Sequence, residues 1–304
     1  MTKSSFLIEG REASEEYLES EKPALEQLIA MGYEYKSQHE INIERKDYRQ
    51  VLLYDRLEKA IRKLNPELDE DGVYDALDQI KEESFPRTLD PMDTNEQIRA
   101  KLVGLSRSGG LEPITVMQNF GEGSLEKTVR LFDFENPENN DFLVTNQFVL
   151  HGLKEPIYPD IVVFINGIPL VIIECKAPSI RNPIQEAVEI NFARYQSRGF
   201  GYERLVFYNH FLVATCGILA RHGNIGADLN QYARWSEAHP LSLEDIQSLC
   251  KRKPSEQPSE QEILVAGMLD KRHILDLLKN YIIYEVVNNK VDCQTYLLRE
   301  KMRQ

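Results

Sequence analysis

The sequence contains no long apolar run. Of its 304 residues 42% are hydrophobic, but no stretch approaches the roughly 20 apolar residues that a membrane-spanning helix requires. The amino-terminal stretch also lacks the apolar core of a secretory signal peptide. These absences predict a cytoplasmic protein that has no membrane partner.

Cysteine is scarce as well. The four cysteines stand far apart without a C-x-x-C pair, which argues against a disulfide framework and against a cysteine-based zinc site. Reduced thiols in a cytosolic protein are therefore expected. The motifs H-x-x-x-H, G-x-S-x-G and G-K-[ST] are also missing from the sequence. Zinc-hydrolase, serine-hydrolase and P-loop ATPase chemistry are accordingly not expected of this chain.

Positive charge is in short supply. Lysine and arginine number 36 against 49 aspartate and glutamate residues, which gives a formal net charge of −13. A nucleic-acid-binding domain usually carries a basic footprint instead. Residues 176–204 are a local exception, with five basic and three acidic side chains. The composition predicts that the chain alone holds DNA weakly, and it leaves the function open.

Apolar periodicity divides the chain into a helical first third and a β-rich middle. Ser20 is a candidate helix cap and Gly32 a candidate stop, so we expect a first helix between them. Further helices are expected from the apolar spacing at 53–64, 73–83 and 94–105. From about residue 114 the runs become rich in β-branched and aromatic residues, which predicts strands.

The β-rich region includes two apolar runs separated by Asn166-Gly167, the strongest short signal for a hairpin. A helix is expected over 184–198, followed by a strand pair that turns at Asn209-His210. Residues 251–262 form a polar, proline-containing stretch that predicts a linker. We expect the segment 263–304 to be mostly helical and to pack against a part of the protein outside this chain.

Asp160 and the triplet Glu174-Cys175-Lys176 are the candidate catalytic residues. Hydrolysis of a phosphodiester needs an activated water, a cation that neutralises the transition state, and stabilisation of the leaving oxygen. Two carboxylates can bind Mg²⁺ through hard oxygen ligands, and a neighbouring ammonium can orient the attacking water. Since side chains alternate along a strand, Glu174 and Lys176 share one face while Cys175 points to the core.

The geometry of the turn decides whether Asp160 joins them. A two-residue turn at Asn166-Gly167 would place Asp160 on the face opposite to Glu174. A three-residue loop, 165–167, with Gly167 in the bulge position would make Asp160 a same-face diagonal neighbour of Glu174. Such a diagonal is about 7–8 Å between α-carbons. We therefore predict the bulged three-residue loop.

A structural ion pair is the alternative to a catalytic site. Charged residues at strand ends are common, and Glu174 and Lys176 could pair with each other simply to offset their burial in an apolar run. Asp160 supplies a negative charge that such a pair does not need. The sequence therefore favours a cation site over the structural pair.

The helix expected after the triplet offers supporting residues. Asn191 and Tyr195 lie on its apolar stripe, so they face the sheet. Arg194 and Arg198 face elsewhere and, with Arg181, are candidates for contacts with DNA phosphates. The alternative is a core helix with one satisfied amide.

Glu21, in the first helix, is a candidate third carboxylate. A glutamate in a first helical turn more commonly complements the helix dipole. The sequence leaves both roles open.

The stretch from Tyr158-Pro159-Asp160 through IVVFINGIPLVIIECKAP resembles the nuclease signature of the restriction (R) subunit of type I restriction–modification enzymes, in the PD-(D/E)xK nuclease superfamily. EKPALEQLIAMGYEY resembles the opening helix of this family, and RLEKAIRKLNP resembles its middle helices. FDFENPENNDFLVTNQF is similar to the run that precedes the family's catalytic hairpin. The resemblance covers roughly residues 15–300.

This resemblance implies an α/β fold in which a mixed β-sheet is flanked by helices, as in PD-(D/E)xK endonucleases. It also implies that Asp160 and Glu174 bind Mg²⁺, with the backbone carbonyl of Cys175 as a further ligand. Lys176 would assist the attacking water.

The supporting residues follow from the same resemblance. Glu21 matches the acidic residue of the family's first helix. The family's Q-x-x-x-Y motif falls on Asn191 and Tyr195, where asparagine replaces glutamine. The shorter amide is expected to reach less far towards its usual partner.

The resemblance implies a larger assembly too. Full-length R subunits contain an ATP-driven DNA translocase and assemble with specificity and methyltransferase subunits, so double-stranded DNA is the implied substrate and ATP a ligand of the full-length subunit only. We expect a nuclease domain over 1–250, the linker over 251–262, and a helical segment over 263–304 that leads towards the motor.

Two other functions stay open. A stand-alone repair or recombination nuclease of the same superfamily is favoured by the missing motor and opposed by the linker and trailing helices. A non-catalytic docking domain is favoured by Asn191 and opposed by the intact Asp160, Glu174 and Lys176.

Overall fold

The computed structural model of the protein describes residues 14–81, 90–104, 112–120, 123–287 and 290–295. The helices in these ranges are α1 (Lys22–Ala30), α2 (Gln38–Glu44), α3 (Tyr54–Leu64), α4 (Glu70–Ile80), α5 (Pro91–Val103), α6 (Pro183–Glu186), α7 (Ala193–Tyr195), α8 (Glu203–Tyr208), α9 (Leu243–Leu249), α10 (Glu260–Met268) and α11 (Lys271–Asp276). The strands are β1 (Glu34–Tyr35), β2 (Thr115–Phe120), β3 (Gly123–Thr128), β4 (Phe142–Asn146), β5 (Ile161–Ile165), β6 (Ile168–Cys175), β7 (Phe211–Thr215), β8 (Ala220–Gly223), β9 (Ile282–Val287) and β10 (Lys290–Thr295). None of the helices within the described ranges is long and apolar enough to cross a bilayer.

Three π-helical segments extend these helices. Tyr17–Glu21 runs directly into α1, Ala187–Phe192 joins α6 to α7, and Leu277–Tyr281 continues α11. Single-turn π segments are rare and occur frequently at functional sites. The first two lie against β6.

A six-stranded mixed sheet forms the centre of the molecule, in the order β1-β4-β5-β6-β7-β8. β1 pairs with β4 and β6 with β7 in parallel, whereas β4–β5, β5–β6 and β7–β8 are antiparallel. Every residue of β5 and β6 is buried, which explains why these strands are near-continuous apolar runs without alternation. The sheet and its flanking helices confirm the predicted fold class.

The β5–β6 hairpin differs from the predicted loop. Its turn has two residues, Asn166 at φ 52° and Gly167 at φ 79°, the combination required by a type I′ turn. The extra residue lies farther on, because the pairing runs from Phe164 opposite Pro169 to Val163 opposite Val171. Leu170 is thus the bulged residue, so the predicted three-residue loop is wrong.

The bulge nevertheless brings Asp160 to the predicted face. Ile161 pairs with Ile173, so one step farther along the ladder Asp160 lies opposite Glu174. Pro169 explains the position of the irregularity, since a proline has no N–H to donate to the ladder and is tolerated in sheets at bulges. An extra residue at the turn itself, as predicted, would instead have made Asp160 a diagonal neighbour of Glu174.

Two further local predictions are wrong. Ser20 does not cap the first helix, because Ser14 Oγ accepts from the Tyr17 backbone N–H (3.1 Å) and the helix has begun by then. The stretch before Asn209 is helix α8, where a strand was expected. A run such as RLVFY is short and apolar, and periodicity alone does not separate a buried strand from a buried helical turn.

The carboxy-terminal segment packs onto the sheet domain. Leu264, Val265 and Met268 of α10 belong to the same buried core as the strands, and Tyr33 donates its hydroxyl to the Leu269 carbonyl (2.7 Å). The expectation of an outside packing partner for these residues is therefore wrong. Part of the predicted helical stretch forms the antiparallel pair β9–β10 instead.

The stretch predicted as a linker contributes to this packing. Its last residues lie in the first turn of α10, where Gln261 and Glu262 are buried. The Gln27 amide of α1 donates to the Glu262 carbonyl (2.8 Å). The proposed domain boundaries themselves stay a prediction.

Replacement of Gly167 by alanine tests the hairpin turn. A Cβ at this position would lie 2.5 Å from the Leu53 carbonyl oxygen, on a backbone with φ +79°. The matched control is Gly104→Ala, where φ is +67° and no atom of the described residues beyond the chain neighbours lies within 4 Å of the added Cβ. The control should cost about 1–2 kcal/mol for the left-handed backbone alone.

We expect Gly167→Ala to cost about 1–3 kcal/mol more than the control, because of the added steric conflict. Urea unfolding of both variants measures the difference. Equal losses for the two would show that the hairpin end is not packed as described.

Candidate active site

The predicted catalytic residues meet at one end of the β5–β6 hairpin. Asp160 immediately precedes β5, Glu174 is the last but one residue of β6, and Lys176 directly follows β6. All three side chains are buried, with exposed fractions of 6%, 2% and 6%. The alternation of side chains along β6 sends the Cys175 side chain to the core, where it is fully buried.

Glu174 is the most heavily hydrogen-bonded of the three. Its Oε1 accepts from Lys176 Nζ (2.9 Å) and from the Asn191 amide, and its Oε2 accepts from the Tyr195 hydroxyl (2.9 Å). The asparagine therefore reaches the carboxylate despite being shorter than glutamine. It does so from the π segment between α6 and α7.

Asp160 is held from two sides. Its Oδ2 accepts from the Cys175 backbone N–H (2.7 Å), and its Oδ1 accepts from the Gln147 side-chain amide (3.0 Å). The Cys175 carbonyl, a predicted metal ligand, accepts from Lys176 Nζ (3.1 Å). The carbonyl and the Glu174 carboxylate thus both accept from one ammonium group, and Asp160 acts on that ammonium through its charge.

Glu21 joins the site from the first π segment. Its Oε1 accepts from Asn146 (2.8 Å) and its Oε2 from Gln147 (3.1 Å). The helix dipole does not explain this residue, because the helix has already begun before Tyr17 and Glu21 is only 2% exposed. Gln147 links Glu21 to Asp160, and the role of Glu21 as a third carboxylate stays a prediction.

Two nearby residues escaped the sequence analysis. Glu16 Oε2 lies 3.9 Å from Lys176 Nζ at the edge of the site, and Gln147 bridges Glu21 and Asp160. The signal for Gln147 was the polar pair Asn146-Gln147 directly after an apolar strand. No pattern in the sequence distinguishes Glu16 from the other acidic residues of the amino-terminal stretch.

Burial shapes the protonation of these groups. Loss of hydration raises the pKa of Glu174 well above its usual value, reinforced by the charge of Asp160, and it raises the pKa of Asp160 too. Burial, followed by repulsion from Asp160, raises the pKa of Glu21 to about 8. Burial disfavours charge on Lys176, but the attraction of Glu174 and Asp160 outweighs it and raises the pKa of the ammonium.

Carboxylates therefore outnumber cations in this buried pocket. Lys176 is the ammonium that Glu174 and Glu16 contact, and Asp160 and Glu21 add further acidic groups. Such an excess of buried negative charge is costly unless protons or a cation balance it. A bound cation beside Asp160 and Glu174 would balance it.

In the described part of the chain, no group of three or more His, Cys, Asp or Glu side chains is arranged to hold a metal ion by itself. Mg²⁺ is commonly held through one or two carboxylates and keeps waters or substrate phosphates as its other ligands. Asp160, Glu174 and the Cys175 carbonyl offer oxygen atoms of this kind, and their role as metal ligands stays a prediction.

Two of the predicted phosphate-binding arginines contact groups other than these carboxylates. Arg194 approaches the carbonyls of Glu155 and Pro156 (3.4 and 3.5 Å), and Arg198 pairs with Asp90 (3.4 Å). Arg181 is exposed in the turn before α6. A role for the three in binding DNA stays a prediction.

Comparisons with known proteins agree with the geometry. The family described as type I restriction enzyme R protein N terminus matches residues 12–231. The chain is 28% identical over 294 residues to the putative type I restriction enzyme MjaIXP endonuclease subunit of Methanocaldococcus jannaschii, covering 91% of this chain and 26% of the relative. It is 29% identical over 275 residues to the type I restriction enzyme HindI endonuclease subunit of Haemophilus influenzae, covering 87% and 24%. The chain thus spans about a quarter of the length of these relatives.

Replacement of Glu21 by glutamine should change how stability depends on pH. The pKa of the glutamate side chain in the unfolded protein is about 4.3, and burial raises the pKa of Glu21 in the folded protein to about 8. Folding therefore favours the protonated acid, a contribution that is complete below the unfolded pKa and is lost as the pH rises towards 8. In Glu21→Gln, we expect the free energy of unfolding to fall less between about pH 4.5 and 8, by an amount on the order of a few kcal/mol.

Urea unfolding in metal-free buffer at several pH values measures this difference. Asp160 and Glu174 retain a slope of the same sign, so the slope should shrink and not vanish. Glu126→Gln, a change at an exposed position of β3, serves as the control. An unchanged slope in Glu21→Gln would contradict the buried, protonated Glu21.

Proposed function

Because the chain belongs to the family of type I restriction enzyme R protein N-terminal regions, as its sequence predicted, we propose that it is the Mg²⁺-dependent endonuclease domain of such a subunit. In this proposal it hydrolyses phosphodiester bonds of double-stranded DNA after ATP-driven translocation by the rest of the complex. The observation that carries the proposal is the convergence of Asp160, Glu174 and Lys176 in one buried, acid-rich pocket.

The metal would be held by Asp160, Glu174 and the Cys175 carbonyl. When bound, Mg²⁺ supplies Lewis-acid stabilisation of negative charge on the phosphate and lowers the pKa of a bound water. The excess of buried carboxylate over ammonium fits such an ion. A structural Glu–Lys pair would need neither Asp160 nor Glu21 beside it.

Lys176, Asn191 and Tyr195 would have separate roles beside the metal. Lys176 keeps its proton because Glu174 and Asp160 raise its pKa, so it can donate a hydrogen bond that orients a water or a phosphate oxygen. Asn191 and Tyr195 fix the rotamer of Glu174 through its two oxygens. Such support raises the precision with which a reacting group is held.

The alternative of a non-catalytic docking domain loses its motivation. It rested on the replacement of glutamine by Asn191, and Asn191 donates to Glu174 all the same. The length of the relatives argues against a stand-alone nuclease, because they are about four times as long as the matched region. We therefore assign the ATP-driven motor, and the contacts with specificity and methyltransferase subunits, to parts of the protein outside these residues.

Removal of single charges in the assembled complex tests the nuclease assignment. We expect Asp160→Asn and Lys176→Met in the full-length subunit to lower the rate of plasmid cleavage by about 10²-fold or more, since each removes a preorganised group at the reacting phosphate. ATP hydrolysis should continue at the parental rate. The two rates are measured in parallel with ATP and Mg²⁺ present.

Lys271→Met is the matched control for the lysine. Lys271 pairs with Glu138 (3.2 Å) away from the site, so its loss should leave both rates within about twofold of the parent. Cleavage at the parental rate by Asp160→Asn and Lys176→Met would refute the proposed function.

The isolated chain should cleave DNA weakly. Its net charge is −13, and binding to the DNA backbone depends largely on basic side chains. Incubation of the chain with supercoiled plasmid and Mg²⁺ should give slow, unspecific nicking at most. Rapid cutting at defined sequences would instead identify a stand-alone nuclease.

A further inference from the structure

Gln147 has an unusual backbone conformation beside the site. It directly follows β4 and has φ 51°, in the left-handed region that few residues other than glycine adopt. For an L-residue this conformation costs about 1–2 kcal/mol. Such backbone strain persists where the surrounding contacts impose it, and it is concentrated at functional sites.

The contacts of Gln147 show what imposes it. The backbone N–H donates to the Asp160 carbonyl (2.8 Å), while the side-chain Nε2 donates to Asp160 Oδ1 (3.0 Å) and to Glu21 Oε2 (3.1 Å). Gln147, which is half-buried, thus donates hydrogen bonds both to the backbone carbonyl and to the carboxylate of Asp160. The left-handed turn is what allows the N–H and the amide to face the same residue.

We propose that Gln147 is a positioning residue of the cleavage site, which fixes the carboxylates of Asp160 and Glu21 for a bound cation. The inference rests on the proposed nuclease function. The Cys175 N–H occupies Asp160 Oδ2 and the Gln147 amide occupies Oδ1, so the carboxylate cannot rotate about its Cβ–Cγ bond without breaking a hydrogen bond. Each oxygen keeps a lone pair that can face a metal ion.

A neutral amide is suited to this position. It donates to both acids without adding a positive charge, so it holds Asp160 and Glu21 close together and leaves both free to ionise when a cation binds. A lysine or arginine here would neutralise their charge. Hydrogen-bond partners of metal-binding carboxylates orient the ligands and tune metal affinity in this way.

Two substitutions separate the amide from the backbone. Gln147→Met keeps the side-chain length and the strained φ but removes the donor. Gln147→Gly also removes the donor and relieves the strain, so its effect on stability should be small, since the lost strain offsets the entropic cost of glycine. Both variants should bind Mn²⁺ about 10–100-fold more weakly than the parent chain, as measured by isothermal titration calorimetry.

The same variants in the assembled full-length complex should need about 10–100-fold more Mg²⁺ for half-maximal plasmid cleavage. Gln27→Met is the control, because Gln27 is a buried glutamine of α1 whose amide donates to the Glu262 carbonyl (2.8 Å). That variant should lower the melting temperature without changing the metal requirement.

Asp160→Asn in the same assay separates a failure of the proposed nuclease function from a failure of the positioning role of Gln147. If Asp160→Asn is inactive and both Gln147 variants show the raised metal requirement, the inference holds. If Asp160→Asn is inactive but the Gln147 variants need parental amounts of metal and only lose thermal stability, Gln147 merely supports the fold and the inference is overturned. Parental cleavage by Asp160→Asn overturns the nuclease function and this inference together, and a parent chain that binds no Mn²⁺ at millimolar concentration counts against the inference as well.

Discussion

The pairing register of β5 with β6 determines which side chains can meet at the end of the hairpin. A two-residue turn alone would leave Asp160 and Glu174 on opposite faces of the sheet, because a shift of one residue reverses every side chain of a strand. The bulge at Leu170 supplies that shift. The candidate site therefore depends on one extra residue beside Pro169, in a buried strand where the remaining ladder is regular.

The register brings acids together, and their burial then has to be offset. Both carboxylate oxygens of Glu174, of Asp160 and of Glu21 accept hydrogen bonds from protein groups. Apart from Lys176 these donors are neutral, so they replace lost hydration without cancelling the charge. The excess of acidic groups over ammonium, more than any single distance, distinguishes this site from a structural ion pair.

Local patterns in the sequence were sufficient to predict that Asp160, Glu174 and Lys176 lie together, because strand alternation and a hairpin signal act over a few residues. Helical periodicity likewise predicted that Asn191 and Tyr195 face the sheet. Glu16 was not predictable, and the polar pair Asn146-Gln147 did not indicate what Gln147 contacts, since a π-helical turn and a left-handed backbone are imposed by contacts between distant segments. The packing of α10 on α1 depends on tertiary structure in the same way, because apolar spacing does not identify the partner of a helix. The position of the bulge, by contrast, follows a local feature, Pro169.

The first helix shows how far such contacts extend. In a regular α-helix, side chains five positions apart point roughly 140° away from each other around the helix axis. The π segment Tyr17–Glu21 has i→i+5 hydrogen bonds, so Glu16 and Glu21, which are five positions apart, both face the same pocket. The segment can approach the sheet because Gly217 has no side chain: a Cβ there would lie 2.0 Å from the Glu19 carbonyl oxygen.

Gln261 of α10 then ties the end of β7 to the first helix. Its amide oxygen accepts from Ser20, Thr215 and the Gly217 N–H. Gln261, 241 positions after Ser20, thus helps to hold the π segment that carries Glu21. The stretch that the sequence analysis assigned to a linker is therefore part of what positions a carboxylate of the candidate nuclease site.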